Sequence, residues 1–269
     1  GRRKISKIGE MQMFATERQQ EIIEFINAKG AAKIGELTER FGVSVETIRR
    51  DLLELEKQNS LRRVHGGALR IPRSGEYLDR KERSGKNQEK KAELVRYAAE
   101  LISESDILMV DCGSTAVEFA GMLRERFERL TIITSCLDVF DALKNKESFE
   151  LYLCSGFYMG RENAFYGSWV LESLERFHAD KAIICPSAVS IQYGVMDYDR
   201  ELCTIQKKMM EQAGETIFLA DSDKFEKSGF LKIADVRQDC TLVTDSGLEG
   251  EIYNLYLENQ IRVLRGKKS

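Results

Sequence analysis

Seven short apolar runs rich in β-branched residues follow one another along the C-terminal two thirds of the chain, and helical stretches separate most of them. The runs cover residues 107–110, 130–134, 149–153, 181–185, 216–220, 241–244 and 261–264. Apolar strands that alternate with helices are typical of a mostly parallel sheet covered by helices on both faces. The sequence therefore predicts an α/β domain over residues 89–269.

The preceding part of the chain has helical spacing instead. Apolar residues recur at three- and four-residue steps over residues 16–29, 34–41 and 45–55, which predicts three helices. A basic strand-like segment at 61–64, a Gly66-Gly67 turn and a second strand-like segment follow. Three helices and a hairpin are the order of a winged helix-turn-helix, which we predict over residues 14–72. The polar stretch 73–88 is predicted to be a linker.

Composition excludes several classes of protein. The six cysteines are far apart without a C-x-x-C pair, and neither histidine has a neighbour at metal-ligand spacing. These features predict reduced cytosolic thiols, no metal and no cofactor. No apolar run approaches the length of a membrane span, so we expect a cytoplasmic protein without membrane contact. The net charge of the chain is −3, but the local charge is positive at 61–74, a stretch that holds four arginines and no acid.

The third helix carries the residues that predict DNA binding. Arg50 lies opposite the apolar stripe with Glu46 and Thr47 beside it, so these side chains could enter a major groove, where arginine donates two bonds to guanine. Arg49 is on the flank, where it could contact phosphate, and Ser44 caps the helix. The predicted DNA-contacting residues of the wing are Arg62, Arg63, His65, Gly66 and Gly67. The predicted partner is double-stranded operator DNA.

A second site is predicted where strands of the α/β domain end. Asp111 ends a strand, and Gly113, Ser114 and Thr115 open the next helix, so that free N–H groups and two hydroxyls could bind an anion such as phosphate. Other strand ends should line the same crevice. The further candidates for effector binding are Thr134, Ser135, Gly156, Ser187 and Lys224.

The motifs themselves identify a family resemblance. The segment VSVETIRRDLLELE, followed by LRRVHGGA, closely resembles the N-terminal signature of the DeoR family of bacterial transcription regulators. DCGST, IITS, DKAII, LADSDKF and LVTD resemble the sensor domain of that family in order and spacing. The resemblance implies a repressor of a sugar or carbohydrate operon that binds its operator as a dimer or tetramer. A sugar phosphate or related anionic metabolite would release it. Gln206 stands where the family commonly has lysine, and Asp223 where serine is common.

Three other functions remain open from the sequence. The sensor domain of the family resembles ribose-5-phosphate isomerase, so an isomerase-like enzyme with an appended DNA-binding domain is one alternative. The strand that carries an acidic motif in that isomerase ends here in residues 186–190, which hold no carboxylate, and we therefore predict no catalysis. A thiol redox-sensing regulator is another alternative, because Cys112, Cys136, Cys154 and Cys185 all fall near strand ends. The third is a DNA-binding protein without an effector.

Overall fold

The chain divides into two compact units, Gly1–Arg73 and Ser74–Ser269. The computed structural model describes residues 15–29, 31–57, 60–64, 66–70 and 80–266. No described helix is both long and apolar enough to cross a membrane. A short helix, Arg80–Gly85, lies within the segment 73–88 that the sequence predicts to be a linker. The domain limits 14–72, 73–88 and 89–269 stay a prediction.

The first unit contains three helices and a three-stranded antiparallel sheet. Its elements are α1 (Ala15–Lys29), β1 (Ala31–Lys33), α2 (Ile34–Phe41), α3 (Val45–Lys57), β2 (Leu61–Val64) and β3 (Gly67–Arg70). The sheet order is β1-β3-β2, so the hairpin pairs along β3 with a strand that the sequence analysis missed. Helix α2 ends at Gly42, whose φ of 63° favours glycine. Most residues predicted from helical spacing form or pack against the core, but Val45 is exposed. The fully buried large side chains of the core are Ile22, Ile26, Leu37, Ile48, Leu52, Leu55 and Leu61.

The second unit is an α/β domain. Its helices are α4 (Arg80–Gly85), α5 (Gln88–Ala98), α6 (Ser114–Arg126), α7 (Leu137–Leu143), α8 (Ser168–Leu174), α9 (Arg200–Glu211) and α10 (Gly250–Glu258). Its strands are β4 (Ile107–Val110), β5 (Thr131–Thr134), β6 (Glu150–Leu153), β7 (Phe157–Met159), β8 (Ala164–Tyr166), β9 (Ala179–Ile184), β10 (Ala188–Ser190), β11 (Gly194–Asp197), β12 (Ala213–Leu219), β13 (Leu231–Ala234), β14 (Thr241–Thr244) and β15 (Arg262–Arg265).

All seven strands predicted from the apolar runs form one parallel sheet, in the order β15-β14-β12-β9-β4-β5-β6. The predicted fold class, a winged helix-turn-helix followed by a mostly parallel α/β domain, is confirmed. Large buried side chains such as Phe119 and Phe218 fill separate apolar clusters of the core. The strand order reverses between β4 and β9, and a crevice at such a reversal is where ligands bind in open α/β sheets.

Five short strands of this unit were not predicted. Strands β7 and β8 form an antiparallel hairpin, and β10, β11 and β13 form a separate antiparallel sheet. Each is only three or four residues long. Strands so short are hard to recognise from alternation of polar and apolar residues. Strands β7 and β10 follow β6 and β9 in the chain, so these short strands continue from the carboxyl ends of the main sheet.

Candidate DNA-binding surface and effector pocket

Helix α3 presents a polar face to solvent. Ser44 caps it, because the Ser44 hydroxyl accepts a hydrogen bond from the Thr47 amide at 3.1 Å. Glu46, Arg49 and Arg50 are exposed, and Thr47 is half-buried. The Arg49 guanidinium lies 3.7 Å from the Glu46 carboxylate, an exposed pair that is worth little and can open when a phosphate approaches. Arg50 therefore lies on the solvent side, as the helical spacing predicts.

A buried ion pair fixes α3 against α1. The Asp51 carboxylate accepts bonds from Arg18 Nε at 2.6 Å and from Gln19 Nε2 at 3.0 Å, and both Arg18 and Asp51 are buried. Breaking such a pair by removing one partner leaves a buried charge, which typically costs about 3–5 kcal/mol. This contact orients the helix that carries Arg50. Sequence analysis missed it because Asp51 looks like one more charge on a helix surface.

The wing carries an exposed arginine and two glycines with different roles. Arg63 is exposed, with its backbone amide bonded to Glu56 Oε1 at 2.8 Å and its guanidinium 3.8 Å from the same carboxylate. Gly66 has a φ of 82° and makes the turn. A Cβ on Gly67 would lie 2.3 Å from the carbonyl oxygen of Ala32, so packing against β1 requires this glycine. The side chain of Arg62 and all of His65 lie outside the described residues.

Five of the predicted effector-binding residues line one cavity of about 180 Å³ at the carboxyl ends of the sheet strands. They are Gly113, Ser114, Thr115, Ser187 and Lys224. Gly113 has a φ of 105°, which favours glycine and directs the chain from β4 into α6. Lys224 comes from the turn after β12, and its ammonium donates to the Pro186 carbonyl at 2.7 Å. Elements distant in sequence therefore meet at the point where the strand order reverses.

Thr134, Ser135 and Gly156 do not line this cavity. The Thr134 hydroxyl accepts from the Cys136 amide at 3.1 Å, and the Ser135 carbonyl accepts from the Phe165 amide at 2.8 Å. A Cβ on Gly156 would lie 2.4 Å from a backbone oxygen of β8. These contacts hold the strand ends and the β7–β8 hairpin together. The three residues have structural contacts here, at some remove from the cavity.

Asp111 lies behind the cavity in a buried polar network. Its carboxylate accepts from the Cys112 amide at 2.8 Å, the Cys185 amide at 3.0 Å and Gln206 Nε2 at 2.9 Å. The same Gln206 nitrogen lies 3.1 Å from Asp197, while Gln206 Oε1 is buried without a hydrogen-bond partner among the described residues. Burial raises the pKa of Asp111 to about 6. The network joins the ends of β4 and β9 to α9.

Four cations border the cavity, and three of them were missed by the sequence analysis. They are Arg83, Lys86, Lys91 and Lys224. The first three belong to a polar stretch that reads as linker and solvated helix surface, so no local pattern distinguishes them. Lys91 is buried, and this burial together with nearby Lys224 lowers the pKa of its ammonium. The cavity wall is therefore rich in positive charge.

The acidic residue at position 223 is neutralised by contacts from α5. Lys90 Nζ lies 2.7 Å from one Asp223 oxygen, and Asn87 Nδ2 donates to the other at 2.9 Å. The hydrogen bond from Lys90 is the main cause that lowers the pKa of Asp223. Asp223 departs from the family pattern, but Lys90 and Asn87 compensate its negative charge, so this charge does not repel an anion as a free carboxylate would. Asp221, Asp223 and Tyr198 give the cavity further hydrogen-bonding groups.

All six cysteines are buried with reduced thiols. Burial raises the pKa of each thiol, well above its usual value for Cys112 and Cys185. A redox-sensing cysteine needs an accessible thiol with a lowered pKa. These environments argue against the thiol-sensing alternative. Within the described part of the chain, no group of three or more histidine, cysteine or acidic side chains is arranged to hold a metal ion.

Two family models match the chain. The DeoR-like helix-turn-helix domain matches residues 18–73, and the DeoR C-terminal sensor domain matches residues 86–246. Ribose 5-phosphate isomerase A from Methanocaldococcus jannaschii is similar in structure, with a TM-score of 0.39 and 17% identity over 52% of this chain and 55% of that one.

Curated relatives align over almost the whole length. The uncharacterized HTH-type transcriptional regulator YulB of Bacillus subtilis is 31% identical over 93% of this chain and 96% of its own. The transcriptional repressor AccR of Agrobacterium fabrum is 32% identical over 86% and 90%. The glycerol-3-phosphate regulon repressor of Escherichia coli is 28% identical over 93% and 99%. The relatives and family models are those of transcription regulators, so the chain is a DNA-binding regulator and not an enzyme. The predicted resemblance is confirmed, and the chain belongs to the DeoR family of transcription regulators.

Proposed function

We propose that this regulator represses a carbohydrate-catabolism operon and leaves its operator when a sugar phosphate or related anionic metabolite binds in the cavity behind Gly113. One observation carries the proposal: a helix N-terminus and several cations converge on a single small cavity. The N–H groups and hydroxyls of the Gly113–Thr115 turn suit a phosphate, and Lys224 supplies a cation to the lining of the same cavity. The name of the glycerol-3-phosphate regulon repressor associates one relative with a phosphorylated small molecule.

The remainder of the cavity suits the hydroxyl groups of a sugar. Ser187, Tyr198 and Asp221 line it beside the cations. The hydroxyl groups can donate hydrogen bonds to a polyol or accept them, and the carboxylate can accept them, whereas the turn and the lysines favour its phosphate. The volume of about 180 Å³ fits a small ligand rather than a dinucleotide.

On the DNA side, Arg50 of α3 reads a base in the major groove, and Glu46, Thr47 and Ser44 lie at the same end of the helix. Arg49 and Arg63 contact phosphates. This assignment follows from the exposure of these side chains on the recognition helix and the wing. Operators of helix-turn-helix proteins are usually two-fold, so the regulator acts in the cytoplasm as at least a dimer.

The test is effector titration of the protein bound to labelled operator, with a panel of sugar phosphates. Thr115→Val removes one buried hydroxyl at the turn while keeping the side-chain volume. We expect the wild type to be released and this variant to stay bound. Coupling between two such sites is typically about 1–3 kcal/mol. Equal release of both proteins would remove the turn from the mechanism. Sedimentation of the full chain at micromolar concentration should show a dimer or larger species.

A further inference from the structure

The stretch of residues 80–91, named here the connecting segment, is the first described part of the chain after the DNA-binding unit. It consists of α4 and the start of α5. Charged contacts attach it to three other parts of the sensor unit. The pairs are Arg80 with Asp138 of α7, Arg83 with Glu162 between β7 and β8, and Lys90 with Asp223. These contacts place the connecting segment along one wall of the effector cavity.

Two ammonium groups at this cavity form no salt bridge with the residues that the structure describes. Lys91 is only 5% exposed, and its Nζ donates to the Arg83 carbonyl, which is neutral. Lys224 donates to the Pro186 carbonyl. Both hydrogen bonds go to neutral carbonyls, and the carboxylates of Asp221 and Glu118 act on Lys91 through charge alone, without a hydrogen bond to its ammonium. A buried cation is costly unless it is paired, and two cations near one another add repulsion. The wall therefore favours occupation of the cavity by an anion.

Arg83 links this wall to the turn after β4. Its guanidinium pairs through one nitrogen with Glu162, a carboxylate that is fully buried and whose Oε1 has no hydrogen-bond partner among the described residues. Its other terminal nitrogen lies beside Gly113, 3.2 Å from the place that a Cβ would occupy. The guanidinium is thus held at the mouth of the helix N-terminus, where arginine can bind a phosphate with a fixed geometry.

We propose that Arg83 and Lys91 bind the anionic group of the effector, a phosphate monoester, together with the N–H groups of the Gly113–Thr115 turn. The inference rests on the proposed function and extends it, because the connecting segment becomes part of the effector site itself. Occupation of the cavity then acts directly on α4. The chain that leads to the DNA-binding unit departs from that helix, so the signal needs no path through the parallel sheet.

The experiment measures binding of inorganic phosphate to the full chain by isothermal titration calorimetry. Lys91→Met removes the buried ammonium and leaves an apolar side chain of similar length. Because a hydrogen bond between charged groups is lost, we expect phosphate affinity to fall about ten-fold or more. Lys144→Met is the matched control, since it removes the same charge from an exposed position that does not line the cavity. The control should bind phosphate like the wild type. Equal affinity of Lys91→Met and wild type overturns the inference.

Arg83 is tested in a double variant that removes its charge and the charge of its partner Glu162 together. Arg83→Gln alone leaves Glu162 buried without its cation, so the variant is combined with Glu162→Gln. The double variant should also bind phosphate about ten-fold more weakly, for the same reason. If Thr115→Val weakens phosphate binding while the Lys91 and Arg83 variants do not, the connecting segment is excluded and the pocket of the proposed function stands. If the wild type does not bind phosphate, both the inference about the connecting segment and the effector pocket of the proposed function are overturned.

Discussion

The buried amide of Gln206 leads to a prediction about stability and pH. It stands between the carboxylates of Asp111 and Asp197, at 2.9 and 3.1 Å, and carries no charge. Gln206→Lys would place an ammonium near both carboxylates. We expect the wild type to lose stability as the pH rises through about 6, and the variant to lose much less. The reason is that the added cation favours the ionised form of Asp111.

The magnitude follows from the pKa of Asp111, which burial raises from 3.8 to about 6. At about 1.4 kcal/mol per pKa unit, this corresponds to about 3 kcal/mol. The folded protein binds the proton more tightly than the unfolded chain does. The stabilising contribution is therefore fully present below pH 3.8 and is lost as the pH rises through about 6. About half of it, roughly 1.4 kcal/mol, remains to be lost between about pH 5 and about pH 8.

The assay is urea unfolding of both proteins at several pH values, followed by the fluorescence of Trp169. It is the only tryptophan of the chain and lies in the sensor unit, stacked 6.0 Å from Phe157. Other titrating groups are common to both proteins, so the difference between the two pH profiles isolates the network around residue 206. We expect that difference to change by about 1 kcal/mol across this range. Parallel pH profiles would refute the raised pKa of Asp111.

Three further predictions concern the DNA-binding unit and the thiols. Arg50→Ala should weaken operator binding by about 1–3 kcal/mol and relax base preference, whereas Arg63→Ala should weaken binding to all sequences and make the salt slope shallower by about 1. Gel-shift titrations with operator and scrambled DNA distinguish the two effects. Normal operator binding by a folded Arg50→Ala protein would contradict the recognition-helix assignment. Gly67→Ala should cost about 1–3 kcal/mol of winged-helix stability, because its Cβ meets the Ala32 carbonyl; an unchanged urea midpoint for the circular dichroism of this unit would count against that packing. Ellman's reagent should react slowly with the thiols of the native protein, and it should react with all six thiols once the protein is unfolded. Rapid reaction with the native protein would reopen the thiol-sensing alternative.

Sequence periodicity was sufficient for elements whose stability depends on a continuous buried face. Helix α3 and the seven strands of the parallel sheet are of this kind, because apolar spacing is a local property of the chain. It did not reveal β1 or the short strands β7, β8, β10, β11 and β13, which are too short to show a period. The turn at Gly113 was predicted because a glycine between a strand and a helix is a local signal.

The remainder of the site depends on contacts that no local pattern contains. Lys91 and Arg83 face the cavity because α4 and α5 pack beside residues far along the chain, and their sequence looks like any solvated stretch. Compensation of Asp223 by Lys90 joins residues more than a hundred positions apart. Thr134 ends a strand and Ser135 follows it, yet the Thr134 hydroxyl accepts from the Cys136 amide and the Ser135 carbonyl accepts from the Phe165 amide of the β7–β8 hairpin. Position after a strand therefore predicts where a residue lies better than it predicts what it binds.

The strand order has a consequence for synthesis of the protein. Strand β4 pairs with β9 in the middle of the sheet, so that Leu108 meets Lys181, and β9 in turn needs β12 on its other side. In the winged helix, strand pairing stays within the first unit, as between Ala31 and Leu69. Proteins with local contacts fold faster, and N-terminal domains fold first during translation. The winged helix therefore folds on the nascent chain before the strands that complete the parallel sheet have been synthesised.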